Sequence, residues 1–259
     1  MTNPIYYLEI KAFHCYVELW LNDIIVFAHY EKNGSIWVDW PINQFILESG
    51  VQSYEVRLLP YEGESGLSQQ AEAEFGVHAI EAVTEDERIE IIEKSSIDIK
   101  NRDTLPLFVQ KGSFSVTVPY KNDGWKNSIS LMDEDKNKLL SEVLAWNQKL
   151  LTIYKTSNIS EYNKIYYQRE AEYAKAYTIP FVQSSQNIFH SKFKDLKSLP
   201  DHIYQLGIFG NGKLVSVQLP KELPGFTYQP ITVNEESLGV SLLLFFHRKS
   251  EGEALEIIR

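Results

Sequence analysis

The 259-residue sequence predicts an α+β protein: an N-terminal antiparallel β-sandwich, then an α+β domain in which helices precede an antiparallel sheet. Three observations carry this reading. Up to about residue 119, short runs rich in Val, Ile, Tyr and Trp alternate with turn residues, the pattern of packed short strands. From Asp133 the apolar spacing turns helical, through Leu139, Leu140, Val143, Leu144, Leu151 and Tyr154. Past residue 200 strand-like runs return on either side of Gly210-Asn211-Gly212, a strong hairpin signal. The length favours two domains, and Lys121-Asn122-Asp123-Gly124 marks a boundary between residues 1–124 and 125–259.

Strands of the first domain are predicted over 5–13, 15–21, 24–30, 35–40, 52–59, 72–83, 88–93, 96–100 and 113–119. Asn33-Gly34, Ser49-Gly50 and Glu62-Gly63 separate several of them. The stretch YVELWLNDIIVF (16–27) shows the alternation. Val17, Leu19 and Leu21 share one face, Tyr16, Glu18 and Trp20 the other, and the pattern stops at Asn22-Asp23. Trp37 likewise shares a face with Asp39, opposite Ile36, Val38 and Trp40. Trp20 and Trp37 therefore stand beside carboxylates, on faces that are either covered by another layer or meant to be touched.

In the second domain, Asp133, Glu134 and Asp135 suit the first turn of a helix because they complement its dipole. A second helix is expected from Ser157 or Ser160 with a stripe of Tyr162, Tyr166, Tyr173 and Tyr177. A third runs from about 185 through Phe189 and Phe193 to 196, ending before Pro200. Strands follow over 202–209, 213–219, 239–248 and 254–258.

Net charge is −10, and its distribution is uneven. Residues 1–125 hold 9 Lys/Arg and 20 Asp/Glu, whereas the remainder hold 16 and 15. Residues 62–93 concentrate ten carboxylates against Arg88 alone. Nucleic acid and anionic membranes are poor partners for such a chain, and a basic protein is a good one. A single cysteine, Cys15, excludes an intrachain disulfide and a Cys-based metal site and suits a reducing compartment. The first residues lack a basic segment followed by an apolar one, and no apolar run spans a bilayer. The expectation is a soluble cytoplasmic protein, or a periplasmic one if a leader has been removed.

Motifs that suggest chemistry do not hold together. Residues 207–213 match the start of a phosphate-binding loop, but Leu214 stands where a hydroxyl should hold magnesium, and the segment lies between strands. Asp133, Asp135 and Asn137 begin like a calcium loop, but Lys138 replaces its glycine and Leu144 its final glutamate. The six histidines show no helical metal spacing, and no G-x-S-x-G elbow occurs. No catalytic residue, cofactor or metal is expected.

Residues 17–58 resemble the jelly-roll sugar-binding-type domains found beside glycoside hydrolase modules. The resemblance rests on Leu21-Asn22-Asp23, on Pro41-Ile42-Asn43-Gln44-Phe45, and on Ser49-Gly50 followed by 54–58, with Asp23 in place of a usual glycine. It implies topology. The order of elements in 133–259 resembles the cystatin-like α+β folds that form a cone with a pocket. The whole profile (small, acidic, poor in cysteine, without motifs) is similar to that of bacterial immunity proteins, which neutralise toxins by covering their active sites.

These readings converge on a non-enzymatic protein that binds a basic partner, a secreted toxin in the narrowest form. Trp20 and Trp37 are the expected anchors and Glu85, Asp86 and Glu87 the steering charges. One alternative is carbohydrate binding by the same tryptophans. Another is a small-ligand binder or enzyme with a pocket in the second domain, for which Tyr166, Tyr173 and His202 are the polar candidates.

Overall fold

The computed structural model describes residues 1–32, 34–82, 84, 88–100, 104–181, 196–231 and 239–259. Eight strands come first: β1 (Pro4–Phe13), β2 (Tyr16–Leu21), β3 (Ile24–His29), β4 (Ser35–Pro41), β5 (Gly50–Leu59), β6 (Glu72–Glu81), β7 (Arg88–Ser96) and β8 (Phe108–Val116). They form an antiparallel β-sandwich of two four-stranded sheets, ordered β4-β1-β6-β7 and β3-β2-β5-β8. Strand alternation decides which residues meet between the sheets. Leu8 and Ile10 from β1, Val17, Leu19 and Leu21 from β2, and Val56 and Leu58 from β5 are wholly or almost wholly buried there. Aromatic pairs link the layers: Phe27 meets Trp40 at 5.0 Å between ring centroids and Tyr54 meets Phe75 at 4.8 Å.

The turn at Asn22-Asp23 places both residues in the left-handed region, with φ of 50° and 63°. That is the backbone of a tight hairpin turn, and Asn and Asp tolerate it better than other non-glycine residues. The Asn22 side chain then accepts from the Ser53 N–H at 3.0 Å and donates to Gln52 at 2.7 Å, which ties the turn to β5. Asn43 is fully buried. It accepts from the Tyr6 N–H at 2.7 Å and donates to the Pro4 carbonyl at 2.9 Å, so it satisfies backbone that no strand partner reaches.

Two helices follow, α1 (Lys136–Thr156) and α2 (Ile159–Ala176). Asp135 caps α1 by accepting from the Lys138 N–H at 2.8 Å. Ser157, expected as a cap of the second helix, instead ends the first, with a left-handed φ of 51°. Asn158 takes the capping role for α2, accepting from the Glu161 N–H at 3.1 Å. After the helices come β9 (Leu196–Ser198), β10 (Gln205–Phe209), β11 (Leu214–Gln218), β12 (Gly225–Pro230), β13 (Val240–Leu243), β14 (Phe246–His247) and β15 (Glu256–Ile257). They make antiparallel sheets ordered β10-β11-β14-β15 and β13-β12-β9. The β10–β11 hairpin turns through Gly210, Asn211 and Gly212, all at positive φ.

Several sequence-based boundaries change. The expected strand over 96–100 does not form beyond Ser96, β8 starts five residues earlier than expected, and β12 was not anticipated at all. The single strand expected over 239–248 is two, β13 and β14. Gly225 explains why β12 can approach β13 so closely. A Cβ there would lie 1.7 Å from the Leu242 carbonyl oxygen, so only glycine fits. The third helix expected over 185–196 lies outside the described residues except for Leu196, which is in β9.

The chain divides into two compact units, residues 1–122 with 175–179 and residues 123–174 with 180–259. The second unit has its own core. Leu139, Val143, Leu150 and Ile153 of α1 pack with Tyr162 and Tyr166 of α2 and with Val215, Val217, Phe226 and Phe246 of the sheets. Among the described residues no helix is long and apolar enough to cross a membrane.

Candidate functional site

Two places stand out, one in each unit. In the second unit a cleft of about 1080 Å³ opens between the start of α1 and the segment around β15. Asp133, Glu134, Asp135 and Glu142 line one side, Glu251 and Glu253 the other, with Trp146 in the wall. Arg248, only 4% exposed, holds the two sides together. Its guanidinium donates to both Glu134 oxygens and to Glu142, each at 2.9 Å, and also to the Glu253 carbonyl. Trp146 is fixed by its Nε1–H, which donates to the Leu255 carbonyl at 3.2 Å, and by Phe246 at 5.8 Å between ring centroids. Asp133, Glu251 and Glu253 remain exposed and have no ion-pair partner among the described residues. Six carboxylates thus face three cations: Arg248 is fully engaged, Lys138 stands 3.8 Å from Glu142, and Lys149 pairs with Glu161 at 3.1 Å while lying over the Trp146 ring at 4.3 Å.

In the first unit, the outward face of the β4-β1-β6-β7 sheet carries a buried polar cluster. Antiparallel register sets Glu9 directly opposite Asp39 on β4 and Gly76 on β6, and Tyr7 opposite His78. Like charges placed opposite each other on neighbouring strands repel, and cations from β7 resolve the conflict. Arg88 donates to Glu9 at 2.8 Å and Lys94 to its other oxygen at 2.6 Å. Burial acts to raise the Glu9 carboxyl, but the hydrogen bonds from Lys94 and Arg88 outweigh it and hold it below the usual carboxylate range.

Lys94 reaches Glu9 by crossing β6 at Gly76. A Cβ on residue 76 would stand 3.0 Å from the Lys94 backbone, so the glycine keeps that route open. His78 is fully buried on this outward face, its ring stacked on Tyr7 at 5.1 Å and 9°. Burial lowers its pKa, and the Arg88 guanidinium adds to the effect.

The sequence-predicted residues are spread over both units. Trp20 is on the outward face of the β3-β2-β5-β8 sheet, where Arg57 of β5 covers its ring at 3.8 Å and its Nε1–H donates to Glu18 at 2.8 Å. Trp37 is on the outward face of the other sheet, at the edge strand β4, and is 69% exposed with Lys94 5.2 Å from its ring. The two tryptophans therefore point away from opposite faces of the sandwich, and one flat partner surface does not reach both. Glu85, Asp86 and Glu87 lie outside the described residues.

Tyr166 is a core residue, its hydroxyl 2.9 Å from that of Tyr154. Tyr173 is 42% exposed on α2, and His202 is exposed in a short 3-10 turn. None of these three lines the cleft.

No family model, curated protein or solved structure matches the chain. What the two sites do is therefore read from their own chemistry. Sequence reasoning missed Trp146, Arg248 and the group around Glu9. For the cleft a signal existed, since Asp133, Glu134 and Asp135 sit one helical turn or more before Glu142 and Trp146. For the Glu9 group, residues 9, 39, 78 and 88 share no local pattern.

Proposed function

We propose that this protein acts by binding a basic protein partner, with a cationic segment of that partner seated in the cleft of the second unit. The observation that carries the reading is the cleft's own charge. Asp133, Glu251 and Glu253, exposed and without an ion-pair partner among the described residues, rim a space large enough for one or two Lys or Arg side chains, and the Trp146 ring, covered by Lys149 at 4.3 Å, forms its wall. Arg248 pre-organises the carboxylates beneath, so little ordering is left for the binding step. The net charge of −10 would speed encounter with a cationic protein. A toxin whose basic active face is covered by this chain is the narrower form of the same reading.

The test is calorimetric titration with a Lys/Arg-rich peptide and an acidic peptide of equal length, at low and high salt. Binding of the basic peptide alone is expected, weakened by salt and abolished in the Asp133→Lys/Glu251→Lys double variant. Equal affinity of that variant for the basic peptide would refute the placement.

A second reading rests on Trp37, whose exposed ring on an edge strand suits stacking against a sugar. It predicts that an oligosaccharide quenches tryptophan fluorescence in wild type but not in Trp37→Ala. Absence of quenching in wild type counts against it.

A further inference from the structure

We infer that Glu9, Asp39 and His78 form a binding site for a divalent transition-metal ion, with the Arg88 side chain seated among them as the cation a metal must displace. These residues belong to the first unit and the cleft to the second. Glu9 is 3% exposed and His78 fully buried on the face of the sheet that strand alternation turns outward. Buried polar groups need partners; Glu9 has Arg88 and Lys94, whereas His78 Nδ1 has none among the described residues.

The geometry is that of a ligand set. One donor atom each from Glu9, Asp39 and His78 lies within 4.8 Å of the others. His78 Nδ1 is 3.8 Å from a Glu9 oxygen, and His78 Nε2 is 3.8 Å from an Asp39 oxygen. One imidazole nitrogen serves a given ion, and metal bonds of about 2.1 Å hold tetrahedral donors about 3.4 Å apart, so side-chain rotation closes the gap from the 4.8 Å set. The three ligands come from adjacent strands β4, β1 and β6 in fixed register, a rigid platform.

Two further observations point to a ligand. Among the described residues His78 Nδ1 is buried with no hydrogen-bond partner, although it faces Glu9 at 3.8 Å. The ring is also held in plane by Tyr7, which fixes where its nitrogens point. One imidazole nitrogen with two carboxylates suits zinc, cobalt, nickel or manganese.

Arg88 occupies the same ground. It donates to Glu9 at 2.8 Å, stands 3.3 Å from His78 Nε2, and is 3.9 Å from Asp39. It is also 42% exposed and pairs with Glu90 at the rim, so it can swing outward without losing that charge partner. Lys94 remains on the second Glu9 oxygen, and orients that carboxylate for a single metal bond.

The test is titration of the full chain with Co²⁺, read by its visible d–d absorption, and competition by Zn²⁺. Wild type is expected to bind one ion. Arg88→Ala should bind about tenfold or more tightly than wild type, because no fixed cation then opposes the divalent one. Asp39→Asn, at a half-exposed side chain that leaves the core untouched, should weaken binding by about a hundredfold or more, since even supporting residues cost ten- to a hundredfold. His78→Ala should abolish the spectrum, and its far-UV circular dichroism separates loss of a ligand from loss of fold. Wild type that takes up no cobalt, Arg88→Ala with unchanged affinity, or uptake indifferent to Asp39→Asn each overturns the inference.

Discussion

Replacing Arg248 with methionine keeps the buried stem and removes the guanidinium that ties the cleft together. Three hydrogen bonds to Glu134 and Glu142 are lost, together with one to the Glu253 carbonyl. A charge-assisted bond contributes about 1.5–3 kcal/mol, so the gross loss is several kcal/mol. Glu134 and Glu142 keep 23% and 28% of their side-chain area in contact with solvent, however, and recover water when the arginine goes. The cost of burying the guanidinium is removed at the same time. The net loss should be about 3 kcal/mol, the lower end for breaking a buried pair.

Equilibrium urea unfolding measures it. With a slope of about 3 kcal/mol/M, the midpoint should fall by roughly 1 M. Amide exchange at Glu253, Ala254 and Leu255 should quicken as the loop loses its anchor. A midpoint shift under about 0.3 M would mean that the carboxylates are already solvated and that Arg248 does not organise the cleft.

Two further expectations concern titration. Burial acts to raise the Glu172 carboxyl, but Arg259, the Gly124 N–H and Gln168 outweigh it and hold it below the usual carboxylate range. Its stabilisation is therefore full above about pH 4.5 and is lost as pH falls through the folded value. Urea midpoints taken from about pH 6 to pH 3 should fall more steeply for wild type than for Glu172→Gln, and parallel curves would contradict this. Cys15 is 2% exposed, and burial pushes its thiol up to about 12. An aromatic disulfide reagent should modify it only in unfolded protein, and prompt reaction of the native chain at pH 8 would refute that environment.

The sandwich was legible because its strands obey a two-residue period that the sequence carries locally. Val17, Leu19 and Leu21 could be assigned to the core from spacing alone, and they are buried. The Asn211 hairpin and the start of α1 were readable for the same reason, since turn and cap chemistry is local. β12 was not, because a six-residue strand that begins with Gly225 and ends with Pro230 shows turn residues at both ends. Its existence depends on Leu242 and Ser198, which pack beside it from distant parts of the chain.

Exposure was the harder property. Trp20 and Trp37 read alike, each beside a carboxylate, yet Arg57 from β5 covers one and the edge position leaves the other open. That difference lies in strand order, which no stretch of sequence encodes by itself. The Glu9 cluster hides for the same reason. Glu9 looks like any polar residue on an alternating strand until register brings Asp39, His78 and Arg88 onto it.

The most direct test of the binding account is affinity capture of the tagged chain from an extract of its own source, with wild type beside the Asp133→Lys/Glu251→Lys variant, at low and high salt. A basic protein retained stoichiometrically by wild type, released by salt and missing from the variant is the predicted result. The same proteins captured by both chains, or an acidic partner indifferent to salt, would contradict the claim that the cleft is where this protein meets its partner.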